Sequence, residues 1–287
     1  MSGAVTDEAT RMSGAVTDEA TRMSTAVTTG ADDSILSAFG LDISIGGKSV
    51  CRALDLSVRP GEFWGVLGTN GVGKTTLLLS LIGLREPQAG VIRLLGRDMR
   101  ELGRREIARK VGIMFQDAEN GLPATVMQTA LEGRHPHLDR FKWESVEDER
   151  LARAALEEMG IESLAARSTQ TLSGGERRLL SAATLFTQDP LLMALDEPNS
   201  HLDLHQQIRM LDRVRHRVRR QGRAAIAILH DANLALRYCD RVLLLHGEGE
   251  TESGEAAAML TGERMSRLYR HRISRIDTAE GAVFIPV

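Results

Sequence analysis

A phosphate-binding loop is the feature that most constrains this chain. Gly68–Thr75 follows the pattern G-x-x-x-x-G-K-T and lies between a short apolar run that ends at Leu67 and an apolar segment with helical character. The motif requires this strand–loop–helix order, because glycines let backbone N–H groups converge on phosphate oxygens while the helix N-terminus adds a favourable dipole. In this context a chance glycine turn is the weaker interpretation. The segment, called the phosphate loop below, predicts an α/β domain that binds a nucleoside triphosphate.

Individual residues of the phosphate loop have expected contacts. Lys74 is expected to reach the β- and γ-phosphates, Thr75 to coordinate Mg²⁺ through its hydroxyl, and Thr76 to add a phosphate contact. ATP and Mg²⁺ are therefore the predicted ligands. The residues expected to cradle the phosphates are Gly68, Thr69, Asn70, Gly71, Val72 and Gly73.

Three polar side chains follow two further apolar strands. Asp196 and Glu197 come after Leu191–Leu195, and His230 comes after Ala224–Leu229. Parallel sheets bind ligands at the carboxyl ends of their strands. We expect Asp196 to hold Mg²⁺, Glu197 to act as the general base on the attacking water, and a neutral His230 to contact the γ-phosphate. Each alone is an ordinary strand end, but their shared placement favours a hydrolytic site.

A glycine-rich helix start occupies Leu172–Glu176, with the sequence LSGGE. Ser173 and Glu176 have capping-box spacing, which predicts that Ser173 begins a helix whose first N–H groups lack partners. Gly174 and Gly175 carry no side chains, so an anion can approach that helix closely. Within one chain, an ordinary capped helix is the favoured interpretation. We call Leu172–Glu176 the signature segment.

Strands alternate with helical segments from Ile35 onward, which predicts a mostly parallel sheet with helices on both faces. The expected domains are a disordered N-terminal segment over 1–33, where MSGAVTDEATR occurs twice in tandem, an ATPase domain over 34–254, and a short extension over 255–287. Residues 117–170 are charged and helical in pattern. They are predicted to form a helical subdomain inserted in the ATPase domain.

Composition and residue patterns limit the classes of partner that this chain is expected to bind. The net charge of −3 gives no general attraction to nucleic acid or acidic membranes. Cys51 and Cys239 have neither metal-site nor disulfide spacing, which fits a reducing cytoplasm. No apolar run approaches the roughly 20 residues that span a bilayer, so a membrane role is expected to be peripheral. In the arginine-rich run Arg209–Arg223, apolar residues recur at helical spacing, which favours a solvated helix face over a nucleic-acid surface.

The phosphate loop and the signature segment together make the chain resemble the ATP-binding subunits of ABC transporters, from residue 35 to about residue 270. This resemblance implies a P-loop NTPase core with a mostly parallel sheet, an antiparallel β subdomain and the inserted helical subdomain. It also implies that two copies pair head-to-tail around ATP. Ser173, Gly174 and Gly175 of each copy would then complete the ATP site of the other.

The same resemblance implies further roles. Gln116 matches the loop glutamine that contacts Mg²⁺ and connects to the membrane partner, and His230 matches the switch histidine. Asn199–Asp203 matches the loop that crosses the dimer, with Asp203 as its key acid. Ile45, just before Gly46-Gly47, stands where the family stacks adenine on an aromatic ring. A changed contact with the base is therefore expected.

Two stretches narrow the resemblance to importers of iron–siderophores, haem and cobalamin: Glu132–Leu138 (EGRHPHL) and Leu229–Ala235 (LHDANLA). The predicted protein is an ATPase subunit that energises metal-chelate import at the cytoplasmic face of the membrane. Its expected partners are transmembrane permease subunits and, indirectly, a substrate-binding protein, with no nucleic acid. The alternatives are a soluble non-transport ABC ATPase and the ATPase subunit of an exporter.

Two histidine pairs invite a metal-site interpretation. These are His135 with His137 and His201 with His205. Neither pair has the additional ligands that a closed metal site requires. Loop and dimer-interface roles are therefore favoured.

Overall fold

The computed structural model describes residues 33–116, 123–139, 142–279 and 281–287. The tandem repeat and nearly all of the segment predicted to be disordered lie outside these ranges, as do the first residues of the predicted insertion. The predicted domain boundaries therefore stay predictions. No helix within the described ranges is both long and apolar enough to cross a membrane.

Strands and helices alternate through most of the described chain. The strands are β1 (Leu36–Ile45), β2 (Lys48–Val58), β3 (Phe63–Gly68), β4 (Ala89–Leu94), β5 (Arg97–Asp98), β6 (Val111–Met114), β7 (Leu192–Asp196), β8 (Ala224–Ile228), β9 (Arg241–Gly247), β10 (Glu250–Glu255), β11 (Ile273–Thr278) and β12 (Gly281–Pro286). The α-helices are α1 (Lys74–Leu81), α2 (Arg104–Ala108), α3 (Val126–Leu131), α4 (Val146–Met159), α5 (Gly174–Gln188), α6 (Leu204–Gln221), α7 (Ala232–Tyr238), α8 (Ala256–Met259) and α9 (Gly262–Tyr269).

A six-stranded sheet carries the site, in the order β10-β9-β3-β8-β7-β6. Every pairing in it is parallel except that of β10 with β9. All residues of β3, β7 and β8 are buried, as expected for parallel strands that are covered on both faces. The carboxyl ends of these three strands therefore meet at one edge, which confirms the predicted mostly parallel sheet.

An antiparallel sheet forms a second layer, in the order β2-β1-β4-β5. The turn between β1 and β2 is Gly46-Gly47, whose φ angles of 55° and 79° are both positive. This is the conformation of a two-residue type I′ hairpin turn, which glycine adopts without strain. The apolar side of this antiparallel sheet shares a core with Trp64 and Val66 of β3 and with α1. The turn brings Ile45 to the edge of a cavity that residues of the phosphate loop also line.

The described part of the predicted insertion contains α3 and α4, and both pack against α5. Helix α4 has the bounds that its apolar periodicity predicts, Val146–Met159. Ser145 begins it with a capping box to Asp148, and Gly160 ends it in the left-handed conformation. The start of α5 at the signature segment is thereby tied to the helical subdomain.

Several elements were not predicted, among them β10 and α7. Strand β10 has the sequence ETESGE, which lacks apolar alternation, yet it pairs along its length with β9. Helix α7 is short and follows His230 directly. Asn233 in α7 donates to the carbonyl oxygen of Phe284 at 3.2 Å and accepts from its N–H at 2.7 Å. These bonds attach the C-terminal strand pair, β11 and β12, to the segment after His230.

A partly buried ion pair lies within the helical subdomain, and its arginine also contacts α5. Arg134 Nε lies 2.8 Å from Asp148 Oδ1, and Arg134 Nη1 donates to the carbonyl oxygen of Thr187 at 3.1 Å. Burial by itself acts to raise the pKa of Asp148. Hydrogen bonds from Ser145 and the contact with Arg134 outweigh it and lower that pKa to about 2. The folded chain therefore stabilises the ionised carboxylate.

We expect Asp148→Asn to lower the free energy of unfolding near neutral pH by about 1–2 kcal/mol, because it removes this carboxylate. A lowered pKa contributes stability above the usual value, 3.8 for Asp148, and that contribution is lost as pH falls from there toward 2. Urea denaturation should therefore show the variant and the wild type converging between about pH 4 and about pH 2. The exposed Asp139, paired with Lys142, supplies the control Asp139→Asn. If the free energies of unfolding of Asp148→Asn and the wild type differ by a constant amount over this pH range, the prediction is contradicted.

Candidate functional site

The phosphate loop leaves β3 and enters α1 with a backbone that only glycine can supply at one position. Gly73 has a φ of 107°, and a Cβ built on it would lie 2.5 Å from Cγ2 of Val50. Gly71 also has a positive φ, of 75°. The positive φ angles turn the chain tightly into the helix. Such turns direct successive N–H groups toward one point, as an anion-binding loop requires.

Lys74 is buried beneath the loop, with 6% of its surface exposed. Its Nζ donates to the carbonyl oxygens of Gly68 at 2.9 Å and Thr69 at 3.1 Å. Burial lowers the pKa of Lys74, while the carboxylates of Glu197 and Asp196 act to raise it. The ammonium is thus held inside the loop and faces the two acids at the end of β7.

Asp196 ends β7 as a buried carboxylate, 2% exposed. Burial raises its pKa, which a hydrogen bond with Thr75 opposes. Its Oδ1 atom is buried and has no hydrogen-bond partner among the described residues. A buried carboxylate oxygen without a donor, beside a threonine hydroxyl, is a donor set that suits a hard cation such as Mg²⁺. The residues at this position therefore fit the predicted metal.

Glu197 is the point at which three predicted residues meet. Its Oε1 lies 2.6 Å from Nε2 of His230, and its Oε2 accepts from Nε2 of Gln116 at 3.2 Å. Its φ of 50° is in the left-handed region, where a non-glycine residue costs about 1–3 kcal/mol. Ser200 stabilises this turn by donating its N–H at 3.1 Å and its hydroxyl at 2.9 Å to the carbonyl oxygen of Glu197. The strained backbone aims the carboxylate between the glutamine and the histidine.

Residues of the phosphate loop line one cavity of about 460 Å³, together with Gln116, Glu197 and His230. Ile45 lines the same cavity. Among the described residues that line this cavity, none belongs to the signature segment. The structure therefore brings the phosphate loop and the polar strand ends together within one chain, but not Ser173, Gly174 and Gly175.

The signature segment begins α5 as predicted. Ser173 Oγ accepts from the N–H of Glu176, and the Ser173 N–H donates to Glu176 Oε2 at 2.7 Å, which confirms the capping box. The hydrogen bonds from Ser173 lower the pKa of Glu176. Ser173 and Gly174 are exposed. Their predicted contact with a second copy stays a prediction.

The loop Asn199–Asp203 lies beside the signature segment. A Cβ on Gly175 would lie 3.4 Å from the carbonyl oxygen of His201. Asp203 begins α6, and its Oδ1 accepts from the N–H of Gln206 at 2.8 Å. Asp203 therefore has a helix-capping role within its own chain, and its predicted role in a dimer stays a prediction.

The histidine pairs have other contacts. His137 Nε2 lies 2.9 Å from the carbonyl oxygen of Gln188, and burial lowers its pKa. His135 Nε2 lies 3.9 Å from Glu144. In the described part of the chain, no three His, Cys, Asp or Glu side chains are grouped as a metal site.

The sequence analysis did not single out Arg178. Arg178 is 3% exposed and reaches the backbone behind Asp196 and Glu197. A signal was available, because Arg178 lies four residues before Ala182 and seven before Leu185, both of which are buried. That spacing places the arginine on the inward face of α5.

Comparisons with known proteins decide the family. Residues 51–200 match the model of the ABC transporter family. The ferric enterobactin transport ATP-binding protein FepC of Escherichia coli (strain K12) is 33% identical over 83% of this chain and 88% of its own length. The chain belongs to the ABC transporter family, as an ATP-binding subunit. The cobalamin import ATP-binding protein BtuD of Halobacterium salinarum is 34% identical over 87% of this chain, which spans only 63% of that protein.

Solved structures agree with this assignment. A putative metal-chelate type ABC transporter in an inward-facing conformation superposes with a TM-score of 0.78 at 26% identity, over 88% of this chain and 98% of that one. MJ1267, an ATP-binding cassette of an ABC transporter in its ADP conformation, superposes with a TM-score of 0.71 over 83% of this chain and 98% of that one. At 20% identity it shows the fold alone. The predicted family and fold are confirmed.

We expect Gly73→Ala to weaken ATP binding at least about tenfold, because a Cβ there combines left-handed strain with a clash against Val50. Isothermal titration with ATP measures the loss. Gly96 has a φ of 77° and open space around its Cβ position. Gly96→Ala is therefore the matched control, with similar backbone strain but unchanged ATP affinity. Equal affinities for the two variants would contradict this account of the loop.

Proposed function

We propose that this chain is the ATP-hydrolysing subunit of an importer for a metal chelate of the iron–siderophore, haem or cobalamin kind. The observation that carries the proposal is the meeting of Gln116 and His230 on the carboxylate of Glu197, at the edge of the phosphate loop cavity. The substrate class rests on relatives named for enterobactin, hemin and cobalamin transport, together with the metal-chelate structure.

Binding of ATP is assigned to the phosphate loop and Lys74. The buried ammonium already faces the carboxylates of β7, so the triphosphate would enter between groups of opposite charge. Thr75, Asp196 and Gln116 are the residues that would hold Mg²⁺. When bound, that ion neutralises charge on the phosphates.

Glu197 is the proposed general base. Its contacts with His230 and Gln116 fix both carboxylate oxygens, so that the group is oriented before a water molecule arrives. A carboxylate held in this way can accept the proton of the water that attacks the γ-phosphate. His230 and Gln116 then act by orienting the carboxylate of Glu197 and the γ-phosphate that this carboxylate faces.

The site is proposed to be completed by a second copy of the chain. Ser173 and Gly174 are exposed, and the signature segment does not line the cavity of its own chain. A helix start with unsatisfied N–H groups suits a phosphate supplied by a partner. We place the assembly at the cytoplasmic face of the membrane, on permease subunits that are served by a substrate-binding protein.

Replacement of Glu197 by Gln tests the hydrolytic part of the proposal. We expect phosphate release to fall by about 100-fold or more, because the amide cannot accept the proton. ATP should still bind, and size-exclusion chromatography with ATP should show the ATP-bound dimer accumulating. The exposed Glu149 supplies the control Glu149→Gln. Phosphate release by Glu197→Gln at the wild-type rate would exclude Glu197 as the base.

Import is tested with the same variant in cells that lack the gene. Uptake of a labelled siderophore, haem or cobalamin should be restored by the wild type and not by Glu197→Gln. Efflux of the label would indicate an exporter, and normal transport without the gene would indicate a soluble role. Either outcome would overturn the import proposal while leaving ATP hydrolysis standing.

Ile45 generates a prediction about the nucleotide base. Its side chain is 41% exposed and lines the cavity, where it offers apolar contact without an aromatic face. Stacking is worth about 0.5–1.5 kcal/mol, so Ile45→Tyr should lower the KM for ATP by roughly 2- to 12-fold and leave kcat unchanged. Steady-state ATPase kinetics measure this change, with Ile45→Leu as the control. An unchanged KM would show that the base does not reach this residue.

A further inference from the structure

Arg178 is a buried cation whose guanidinium joins two separate loops. The residue lies five positions after Ser173 on α5 and is 3% exposed. Arginine carries five N–H donors in a rigid plane and no acceptor. A buried guanidinium therefore needs several acceptors, and here backbone carbonyl oxygens supply them.

The first loop follows β6. Nη1 of Arg178 donates to the carbonyl oxygen of Phe115 and, at 2.8 Å, to that of Gln116. Gln116 is the residue whose side chain reaches Glu197. Arg178 thus holds the backbone from which this glutamine extends.

The second loop follows β7. Nη2 donates to the carbonyl oxygens of Asp196 and Glu197, both at 2.5 Å, and Nε donates to that of Pro198 at 3.3 Å. The left-handed φ of Glu197 lies within this segment. The guanidinium therefore stabilises the strained turn that presents the carboxylate.

Two cations, Arg178 and Lys74, lie near the end of β7. Arg178 approaches it from α5, and Lys74 approaches it from the phosphate loop.

We propose that Arg178 is a positioning residue for ATP hydrolysis: it ties the helix that begins at the signature segment to the backbone of Gln116 and Glu197. A planar fork is needed because one side chain must span two loops, which a lysine ammonium cannot match. Contact of Ser173 with a partner's nucleotide would therefore be felt, through α5, at the carboxylate of the same chain. This inference rests on the proposed ATPase function.

Arg178→Gln and Arg178→Lys are expected to lower kcat by about 10- to 100-fold, because small displacements of catalytic groups have effects of that size. The KM for ATP should stay within about threefold, since the residues of the phosphate loop are untouched. ATP-binding stoichiometry gives the folded, active fraction, and kcat is expressed per bound site. A loss of kcat at full stoichiometry is an effect that a merely structural role does not produce.

Arg217 provides the matched control. It is also a largely buried arginine, and its Nη2 lies 2.7 Å from Oε2 of Glu158. Its Cζ lies over the ring of Phe186, 4.0 Å from the ring centroid. Arg217→Met should lower the melting temperature and leave kcat per bound site unchanged. The proposal is overturned if Arg178→Gln keeps the wild-type kcat, or if Arg217→Met loses kcat to the same extent.

Hydrogen exchange separates this inference from the proposed function. The N–H of Ser200 bonds to the carbonyl oxygen of Glu197, next to the Arg178 contacts, and so reports on the turn. In Arg178→Gln, peptides covering residues 196–203 should exchange at least about tenfold faster than in the wild type. If the wild type hydrolyses no ATP, the proposed function is refuted. The exchange of residues 196–203 would still test the positioning role of Arg178. Unchanged exchange in a folded variant would refute the positioning role.

Discussion

Burial of charge at the carboxyl edge of the parallel sheet is the constraint on which the site depends. Lys74, Asp196 and Arg178 are all less than 10% exposed at this edge. A buried charge is costly unless it is paired and hydrogen-bonded. Lys74 donates to carbonyl oxygens of the phosphate loop, Arg178 donates to two loops, and Asp196 bonds with Thr75. Oδ1 of Asp196 has no partner among the described residues. The sheet order that places β3 and β7 on either side of β8 makes this pairing possible.

The side chains that meet at this edge come from distant parts of the chain. Glu197 follows β7, Gln116 lies in the loop after β6, and His230 lies in the loop after β8. Their side chains meet at Glu197 because parallel strands end at the same edge. The signature segment begins α5, and Arg178 of the same helix reaches this edge through its contacts with the backbone of the two loops. Side-chain pairs also join the helical subdomain to the rest of the chain, as Arg217 of α6 does with Glu158 of α4.

Local patterns predicted the elements whose signals are local. The bounds of α4 followed from its apolar period, and the structure adds a capping box at its start and a glycine at its end. The phosphate loop, and the placement of Asp196, Glu197 and His230 at strand ends, followed from motif context. Strand β10 could not be predicted because it has no apolar alternation and depends on pairing with β9. The contacts of Arg178 were equally hidden, because its acceptors are main-chain atoms about 20 and 60 residues away.

Ile45 and Arg178 lie at different ends of the site. Ile45 is an apolar side chain at the edge of the cavity, where affinity for a nucleotide base depends on apolar area and stacking. Arg178 supports the backbone beneath the carboxylate of Glu197, where geometry determines the direction in which that carboxylate points. At the phosphate end, steric requirements on the backbone limit the residues that fit, since a Cβ at Gly73 would lie 2.5 Å from Cγ2 of Val50.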